Sequence, residues 1–307
     1  MIKVKDLTRK YGDFVAVDNI SFEVNEGEIV GFLGPNGAGK TTTLRVLTGF
    51  SPANSGNVEI AGYDIFENPI EVKKRIGYLP EFPPLYTDFS VKDYLSFVAD
   101  IKGVESRKKK EYTEYAVEKC GLENVYKKTI MNLSKGYRQR VGIAQSLIHK
   151  PDILLLDEPT SGLDPIQIIE VRNLIKELRK EHTIMLSTHI LPEVSATCSR
   201  VIIINNGKII AKDTPENLSD KLTGAVMVKI KIANDIEKAK IAVSEMDVVK
   251  KIESNEDMLE VELKNKEDIS KVIKNLVEAK ADILSVVPSS ASLEQVFHHL
   301  ITREEIV

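Results

Sequence analysis

Residues 28–47 read EIVGFLGPNGAGKTTTLRVL, which is an apolar run followed by a glycine-rich loop and a segment that we predict to be a helix. The loop Gly34–Thr41 fits the pattern G-x-x-x-x-G-K-[ST] between a strand and a helix. In such a loop, backbone N–H groups surround phosphate oxygens, the lysine reaches the terminal phosphates, and the threonine hydroxyl ligates Mg²⁺. A glycine-rich turn with an accidental lysine is the simpler alternative. Because the strand and the helix lie where the motif requires them, we predict a nucleotide site.

The overall composition limits the partners of this chain. It has 307 residues, a net charge of −4 and a pI near 5.9. The length predicts two domains, and the slightly acidic balance argues against nucleic acid as a partner. We find no apolar run long enough to cross a bilayer and no apolar core of a signal peptide at the N-terminus. We therefore expect a cytoplasmic chain that reaches a membrane only through a partner.

The hydrophobic pattern predicts an α/β domain over residues 1–220. Residues 1–32 alternate as β-strands do, and Ser55–Asn57 has the composition of a turn. A mostly helical insert follows at about residues 85–150. After this insert the pattern becomes βαβ, beginning with the continuous apolar run 153–156, which is typical of a parallel strand with both faces covered.

A second domain is predicted over residues 223–307. Its strands and amphipathic helices follow the order βαββαβ, which predicts a small α+β domain of ferredoxin-like type. The last helix is predicted over about residues 293–301. His298 and His299 fall outside its apolar stripe, so we expect them to face solvent rather than to bind a ligand.

Four further motifs follow the phosphate loop along the chain. They are LSKGYRQR at residues 133–140, ILLLDEP at 153–159, SGLD at 161–164 and STH at 187–189. With the loop, these motifs resemble the nucleotide-binding subunit of ABC transporters, and the resemblance covers about residues 1–220. It implies an ABC ATPase core of the P-loop NTPase class, with an antiparallel β subdomain and a helical subdomain. It also implies ATP hydrolysis that requires Mg²⁺.

The resemblance implies a set of nucleotide ligands within one chain. In the family, an aromatic residue stacks on the adenine, and the loop with the threonine after it holds the phosphates. The residues at these positions are Tyr11, Gly34, Pro35, Asn36, Gly37, Ala38, Gly39, Lys40, Thr41 and Thr42.

Two carboxylates, Asp157 and Glu158, end the apolar run 153–156. Carboxylates that only cap the next helix are the simpler alternative. By resemblance, Asp157 holds Mg²⁺ through water, with Thr41 as a further ligand, and Glu158 is the general base for the attacking water. His189 corresponds to the switch histidine of the family, which contacts the γ-phosphate and helps to position that water.

Three other residues are expected to act on a second copy of the chain. In the family, the helix that opens at Ser134 and Gly136 directs its N-terminus at the γ-phosphate held by the partner copy. Asp164 resembles the residue that connects the two sites across the interface. The resemblance therefore implies a head-to-tail homodimer in the ATP-bound state, which opens after hydrolysis.

Two residues depart from the commonest family pattern. Lys135 replaces a glycine. Glu81 replaces a glutamine that touches Mg²⁺ and senses the membrane partner in the family. Glu81 is therefore a candidate Mg²⁺ ligand, and its share in catalysis is left open. Both variants are similar to those of ATPases that serve separate ABC-2 type permeases, a subgroup with drug-resistance, sodium-export and gliding-motility proteins. Similar proteins carry an α+β extension that ends in a motif like SLEQVF, residues 292–297. Dimer support and regulation both remain open as its role.

The resemblance thus implies an export ATPase at the inner face of the cell membrane, with an integral membrane permease as partner and no nucleic acid. One alternative is a soluble ABC protein that acts on ribosomes or DNA, although such proteins usually carry two cassettes or a long coiled coil. Another is a switch or scaffold without turnover, which predicts a defective base, whereas Glu158 is present. In the family the permease usually selects the cargo.

Overall fold

The computed structural model describes residues 1–215, 217–218, 226–289 and residue 297. Two compact units divide the chain, residues 1–213 and residues 214–307. None of the helices within the described ranges is both long and apolar enough to cross a membrane.

The strands of the first unit form two sheets, and its helices surround them. The strands are β1 (Ile2–Tyr11), β2 (Phe14–Val24), β3 (Ile29–Leu33), β4 (Ser55–Ile60), β5 (Tyr63–Asp64), β6 (Ile76–Leu79), β7 (Ile153–Asp157), β8 (Thr183–Thr188), β9 (Arg200–Asn205) and β10 (Lys208–Asp213). The helices are α1 (Lys40–Leu47), α2 (Pro69–Arg75), α3 (Val91–Ile101), α4 (Ser106–Cys120), α5 (Lys135–Leu147), α6 (Pro165–Leu178) and α7 (Leu191–Thr197). Short 3₁₀ turns lie at Glu123–Val125 and Ile130–Asn132.

The larger sheet has the order β10-β9-β3-β8-β7-β6, with β10 antiparallel at one edge and the other neighbours parallel. All residues of β3, β7 and β8 are buried, as expected of parallel strands covered on both faces. The register places Leu33 opposite Thr188 and Asp157 opposite Ser187. The segments that follow β3, β7 and β8 therefore leave the sheet on the same side, at the carboxyl ends of these strands.

The smaller sheet is antiparallel, with the order β2-β1-β4-β5. Its apolar face packs on the larger sheet, and the rings of Phe22 and Phe32 meet there with centroids 5.6 Å apart. The predicted turn at Ser55–Asn57 is wrong, because these residues begin β4 and Asn57 pairs with Lys5 of β1. Pairing with a neighbouring strand has outweighed the turn composition of the segment.

The helical insert predicted at about residues 85–150 contains α3, α4 and α5. Ser90 caps α3 through a hydrogen bond from the Asp93 N–H, and Ser134 caps α5 through one from the Tyr137 N–H. Between them, α4 ends at Gly121, whose φ of 62° suits the left-handed position after a helix. The predicted start of a helix at Ser134 and Gly136 is confirmed.

The second unit contains β11 (Val226–Ile232), α8 (Ile236–Ser244), β12 (Val249–Asn255), β13 (Met258–Leu263), α9 (Ile269–Glu278) and β14 (Ile283–Ser289), with a 3₁₀ turn at Lys266–Asp268. The sheet order β12-β13-β11-β14 is fully antiparallel. The predicted βαββαβ order is confirmed. When the four strands are numbered from 1 to 4 along the unit, their order in the sheet is 2-3-1-4, which is that of a ferredoxin-like fold. Of the predicted last helix and the motif at residues 292–297, only Phe297 is among the described residues, and His298 and His299 lie outside them.

We expect Phe32→Ala to lower the free energy of unfolding of the first unit by about 3–5 kcal/mol. Phe32 is fully buried on β3, so alanine leaves a cavity between the sheets. Phe82→Ala is the matched control, because Phe82 is 83% exposed and we expect a change below about 0.5 kcal/mol. Urea unfolding followed by circular dichroism measures both variants, and equal losses would contradict the core position of Phe32.

Candidate active site

The loop between β3 and α1 is packed too closely for side chains at two of its glycines. A Cβ added to Gly34 would lie 2.4 Å from the Ile204 carbonyl oxygen, and one added to Gly39 would lie 2.6 Å from the Ala16 carbonyl oxygen. Gly39 also has a φ of 107° and precedes α1 without a side-chain cap. The first N–H groups of α1 are therefore available to an anion in the loop, as in known phosphate sites.

Lys40 is the cation of this loop, and it is only 6% exposed. Its Nζ donates hydrogen bonds to the carbonyl oxygens of Gly34 and Pro35 at 2.7 and 3.1 Å. It also lies 3.6 Å from Glu158 Oε1. Burial lowers the pKa of the Lys40 ammonium, and the Glu158 carboxylate opposes that shift. The ammonium is thus held at the loop by a carboxylate and two carbonyl groups.

Asp157 ends β7 beneath the loop and is completely buried. Its Oδ1 accepts hydrogen bonds from the hydroxyl of Ser187 and from Thr41 Oγ1, the latter at 3.3 Å. Its Oδ2 is buried with no hydrogen-bond partner among the described residues. Burial raises the pKa of this carboxyl, and the two hydroxyl donors oppose the shift. A carboxylate oxygen left without a donor next to a threonine hydroxyl is a donor set that suits Mg²⁺ and its water ligands.

Glu158 follows Asp157 in a left-handed backbone conformation, with a φ of 48°. Its N–H donates to the Ser187 carbonyl oxygen at 3.1 Å, so this turn is tied to β8. The side chain points at His189, whose Nδ1 lies 3.0 Å from both carboxylate oxygens. A non-glycine residue with positive φ is strained, and such strain is common at functional sites. The turn thus aims the Glu158 carboxylate at the phosphate loop and at the imidazole.

A cavity of about 600 Å³ opens over the loop. Most predicted nucleotide ligands line it, and so do both predicted catalytic residues and Glu81. Its lining residues are Tyr11, Phe14, Ala16, Asn36, Gly37, Gly39, Lys40, Thr41, Thr42, Glu81, Glu158, Ser161 and His189. The loop residues Gly34, Pro35 and Ala38 do not line this cavity, and neither does the buried Asp157.

Phe14, Ala16 and Ser161 line the cavity although the sequence did not single them out. Phe14 is 64% exposed near the Tyr11 ring, which itself packs on the Arg9 guanidinium with 4.5 Å from the guanidinium carbon to the ring centroid. An exposed aromatic residue at the start of a strand was the available signal for Phe14. Ser161 is part of the SGLD motif, in which only Asp164 was assigned a role, at the dimer interface.

The predicted residues Ser134, Gly136 and Asp164 do not line this cavity. Ser134 caps α5 and is exposed, while Asp164 caps α6 by accepting hydrogen bonds from the N–H groups of Ile166 and Gln167 at 3.0 and 2.9 Å. The single chain therefore brings together the residues predicted to bind phosphate and Mg²⁺ and to act as the base, whereas Ser134 and Asp164 are exposed elsewhere and Gly136 is buried.

The segments that carry the LSKGYRQR and SGLD motifs are in contact with each other. A Cβ on Gly136 would lie 2.6 Å from the side chain of Gln167, at the start of α6. The ammonium of Lys135 occupies the space beside Gly162, 2.0 Å from where a Cβ would stand, and Gly162 has a φ of 67°. Lys135, the departure from the family pattern, thus packs on the SGLD loop of its own chain.

Comparison with known proteins agrees with this geometry. A family model described as ABC transporter matches residues 17–161. The bacitracin transport ATP-binding protein of Bacillus licheniformis is 37% identical over 303 residues, with 98% of this chain and 97% of that protein covered. The Nod factor export ATP-binding protein I of Cupriavidus metallidurans is 37% identical, with 75% of this chain and 76% of that protein covered.

A solved structure described as a dimeric bacterial ABC transporter cassette superposes with a TM-score of 0.63 and 25% identity, and it covers 70% of this chain and 98% of that chain. The similarity extends over nearly the whole length of a curated relative, and the fold agrees with that of a solved cassette. The chain therefore belongs to the ATP-binding proteins of ABC transporters and is an ATPase.

Proposed function

We propose that this chain is the ATPase subunit of an ABC-2 type exporter and that it drives a separately encoded membrane permease. The observation that carries the proposal is similarity over 98% of the chain to a bacitracin transport ATP-binding protein. The similarity to a Nod factor export protein supports export as the direction. The chain would act at the inner face of the cell membrane, without nucleic acid as a partner.

ATP is proposed to lie in the cavity over the loop, with its adenine on the Tyr11 ring. Phe14 provides a second exposed aromatic surface at the same rim. The β- and γ-phosphates would accept hydrogen bonds from the loop N–H groups and from the first turn of α1. Because Lys40 Nζ already points across the loop, only a small movement is needed for it to bind a phosphate oxygen.

Glu158 is proposed as the general base. Water attacks the γ-phosphorus, the water proton passes to the Glu158 carboxylate, and the bond to the oxygen bridging to the β-phosphate breaks, so that ADP and phosphate form. His189 Nδ1 lies within hydrogen-bond distance of that carboxylate and orients it. In the neutral ring, whose Nδ1–H donates to Glu158, Nε2 is left as an acceptor for the attacking water; the protonated ring would instead donate from Nε2 to the γ-phosphate.

Mg²⁺ is proposed to be held by Thr41 and, through water, by Asp157. This assignment is supported by the buried Asp157 Oδ2, which has no hydrogen-bond partner in the described chain. Glu81 lines the same cavity and is a further candidate ligand. When bound, the ion neutralises phosphate charge and polarises the phosphoryl oxygens.

A second copy is proposed to complete each site. Ser134 and Gly136 lie outside the cavity of their own chain, and the exposed N-terminus of α5 is suited to bind the γ-phosphate held by another copy. The similarity to a dimeric cassette supports this arrangement. Asp164 would then connect the two sites, and loss of phosphate would remove the anion that both copies bind.

We expect Glu158→Gln to reduce ATP turnover about 100-fold or more while ATP still binds, because the amide cannot accept the water proton. Bound ATP then persists and the homodimer accumulates. Phosphate release measures turnover, and size-exclusion chromatography with light scattering measures the dimer. Glu177→Gln, an exposed carboxylate on α6, is the control. Normal turnover of Glu158→Gln would overturn the assignment of the base.

We expect Asp157→Asn to require an Mg²⁺ concentration about tenfold higher or more before Mg²⁺ tightens ATP binding. Losses of this size are typical of residues that bind a metal through one of its other ligands, such as a water molecule. A fluorescent ATP analogue titrated at several Mg²⁺ concentrations measures this without relying on activity. Asp152→Asn, at an exposed position just before β7, is the matched control. Equal Mg²⁺ dependence in both variants would contradict the metal assignment.

The permease is tested by purifying Glu158→Gln protein from its native cells with Mg-ATP in mild detergent and identifying what accompanies it. We expect a membrane protein with several spans, because persistent ATP keeps the complex assembled. The Glu158→Gln, Lys40→Ala double variant, which lacks the phosphate-binding ammonium, is the control and should retain less of it. Ribosomes or DNA-bound proteins without any membrane protein would overturn the exporter proposal in favour of a soluble ABC protein.

A further inference from the structure

Glu193 is a buried carboxylate with no role in the proposal so far. It lies in the first turn of α7 and is only 3% exposed. A glutamate in the first turn of a helix usually remains near solvent, where it interacts with the helix dipole. Instead, the side chain accepts two hydrogen bonds from other segments. Thr160 Oγ1 donates to its Oε1, and Thr188 Oγ1 donates to its Oε2 at 3.1 Å.

The two donors flank the pair proposed to activate water. Thr160 lies two residues after Glu158, and Thr188 directly precedes His189. Glu158 and His189 themselves meet at 3.0 Å. The turn after β7 and the end of β8 are therefore joined by the glutamate–histidine pair and by Glu193, in addition to the hydrogen bond from the Glu158 N–H to Ser187.

The hydroxyl of Thr188 has a fixed direction. Its oxygen accepts a hydrogen bond from the Ile190 N–H at 3.0 Å, so its proton is left for Glu193. The Glu193 N–H in turn donates to the Ile190 carbonyl oxygen at 3.1 Å, which closes the turn around His189. The conformation of this turn thus depends on the position of the Glu193 side chain.

Burial makes this arrangement sensitive to change. Thr160 and Thr188 are 2% and 0% exposed, and the carboxylate between them is shielded from water. A buried carboxylate is costly unless its oxygens accept hydrogen bonds, so loss of either hydroxyl favours a rearrangement of the turn. Such a rearrangement would move His189, which is held to Glu158 by its side chain.

We propose that Glu193 is a positioning residue for hydrolysis, which holds His189 within hydrogen-bond distance of the general base by joining Thr160 to Thr188. This inference rests on the roles proposed above for Glu158 and His189. Thr160 also directly precedes Ser161, which lines the cavity. The same bridge therefore fixes the start of the loop that carries Asp164.

The first test compares two substitutions of Glu193. We expect Glu193→Ala to reduce kcat about tenfold or more, with the Kd for ATP within about twofold, because misplacing a catalytic group lowers the rate without removing phosphate ligands. Glu193→Gln can accept from Thr188 and donate to Thr160, so we expect kcat within about threefold of the unchanged protein. Glu177→Ala is the surface control. Unchanged kcat in Glu193→Ala overturns the inference, and so does an equal loss in Glu193→Gln.

The second test asks whether Glu193 acts through His189. We expect Glu193→Ala to lower kcat by less than about twofold when it is added to His189→Ala, because the group that it positions is already absent. A purely structural role predicts that the two losses multiply, and that result overturns the inference.

Further variants distinguish three outcomes: misfolding, failure of the proposed catalytic roles, and failure of the positioning role of Glu193. If thermal denaturation shows that Glu193→Ala is not folded, Thr160→Val is used instead, because it removes one donor with little change of shape. A lower kcat of Thr160→Val at unchanged ATP affinity supports the bridge made by Glu193. An unchanged kcat overturns it. Normal turnover in Glu158→Gln and His189→Ala means that the proposed catalytic roles fail. If those variants lose turnover while Glu193→Ala keeps it, only the positioning role fails.

Discussion

The site depends on the parallel pairing of β3, β7 and β8. Their register brings Leu33, Asp157 and Thr188 to the same edge of the sheet. Thr41 and Asp157 are 116 residues apart in sequence, and yet their side chains are hydrogen-bonded. Each strand is buried on both faces, so its end can move little. The phosphate loop, the carboxylates and the histidine are therefore placed by the core of the first unit.

The carboxyl ends of these strands carry buried charges that a hydrophobic core would otherwise exclude. Lys40 and Glu158 are both less than a tenth exposed and lie 3.6 Å apart, while Asp157 adds a second carboxylate beneath them. These two buried acids and Glu81, which lines the same cavity, stand against one ammonium, so the pocket is short of positive charge. In addition, Asp157 Oδ2 has no hydrogen-bond donor among the described residues. Such an unsatisfied group costs stability. The metal-nucleotide ligand proposed above would satisfy the carboxylate and bind the ammonium at once.

Sequence patterns predicted the parts of this structure that are local. The strand, loop and helix around Lys40 follow from one motif, and the βαββαβ order of the second unit follows from periodicity. The turn predicted at Ser55–Asn57 failed because Gly56 packs against the backbone of β1, a contact between distant segments. For the same reason, nothing in the sequence distinguished Glu193 from other acids at helix starts, since one of its two donors lies in the turn after β7 and the other at the end of β8.

The contacts within one chain also suggest how two half-sites could respond together. Gly136 packs on Gln167, and Lys135 fills the space beside Gly162, so the motif that would bind the partner's phosphate lies directly on the SGLD loop. That loop begins after Thr160, which is hydrogen-bonded to Glu193. In the proposed dimer, a phosphate bound at the N-terminus of α5 would therefore be linked by buried or closely packed groups to the base of the same chain. Close packing transmits displacement because it leaves no space in which a shift can be absorbed. In the proposed dimer, coupling between the two sites would pass through these contacts.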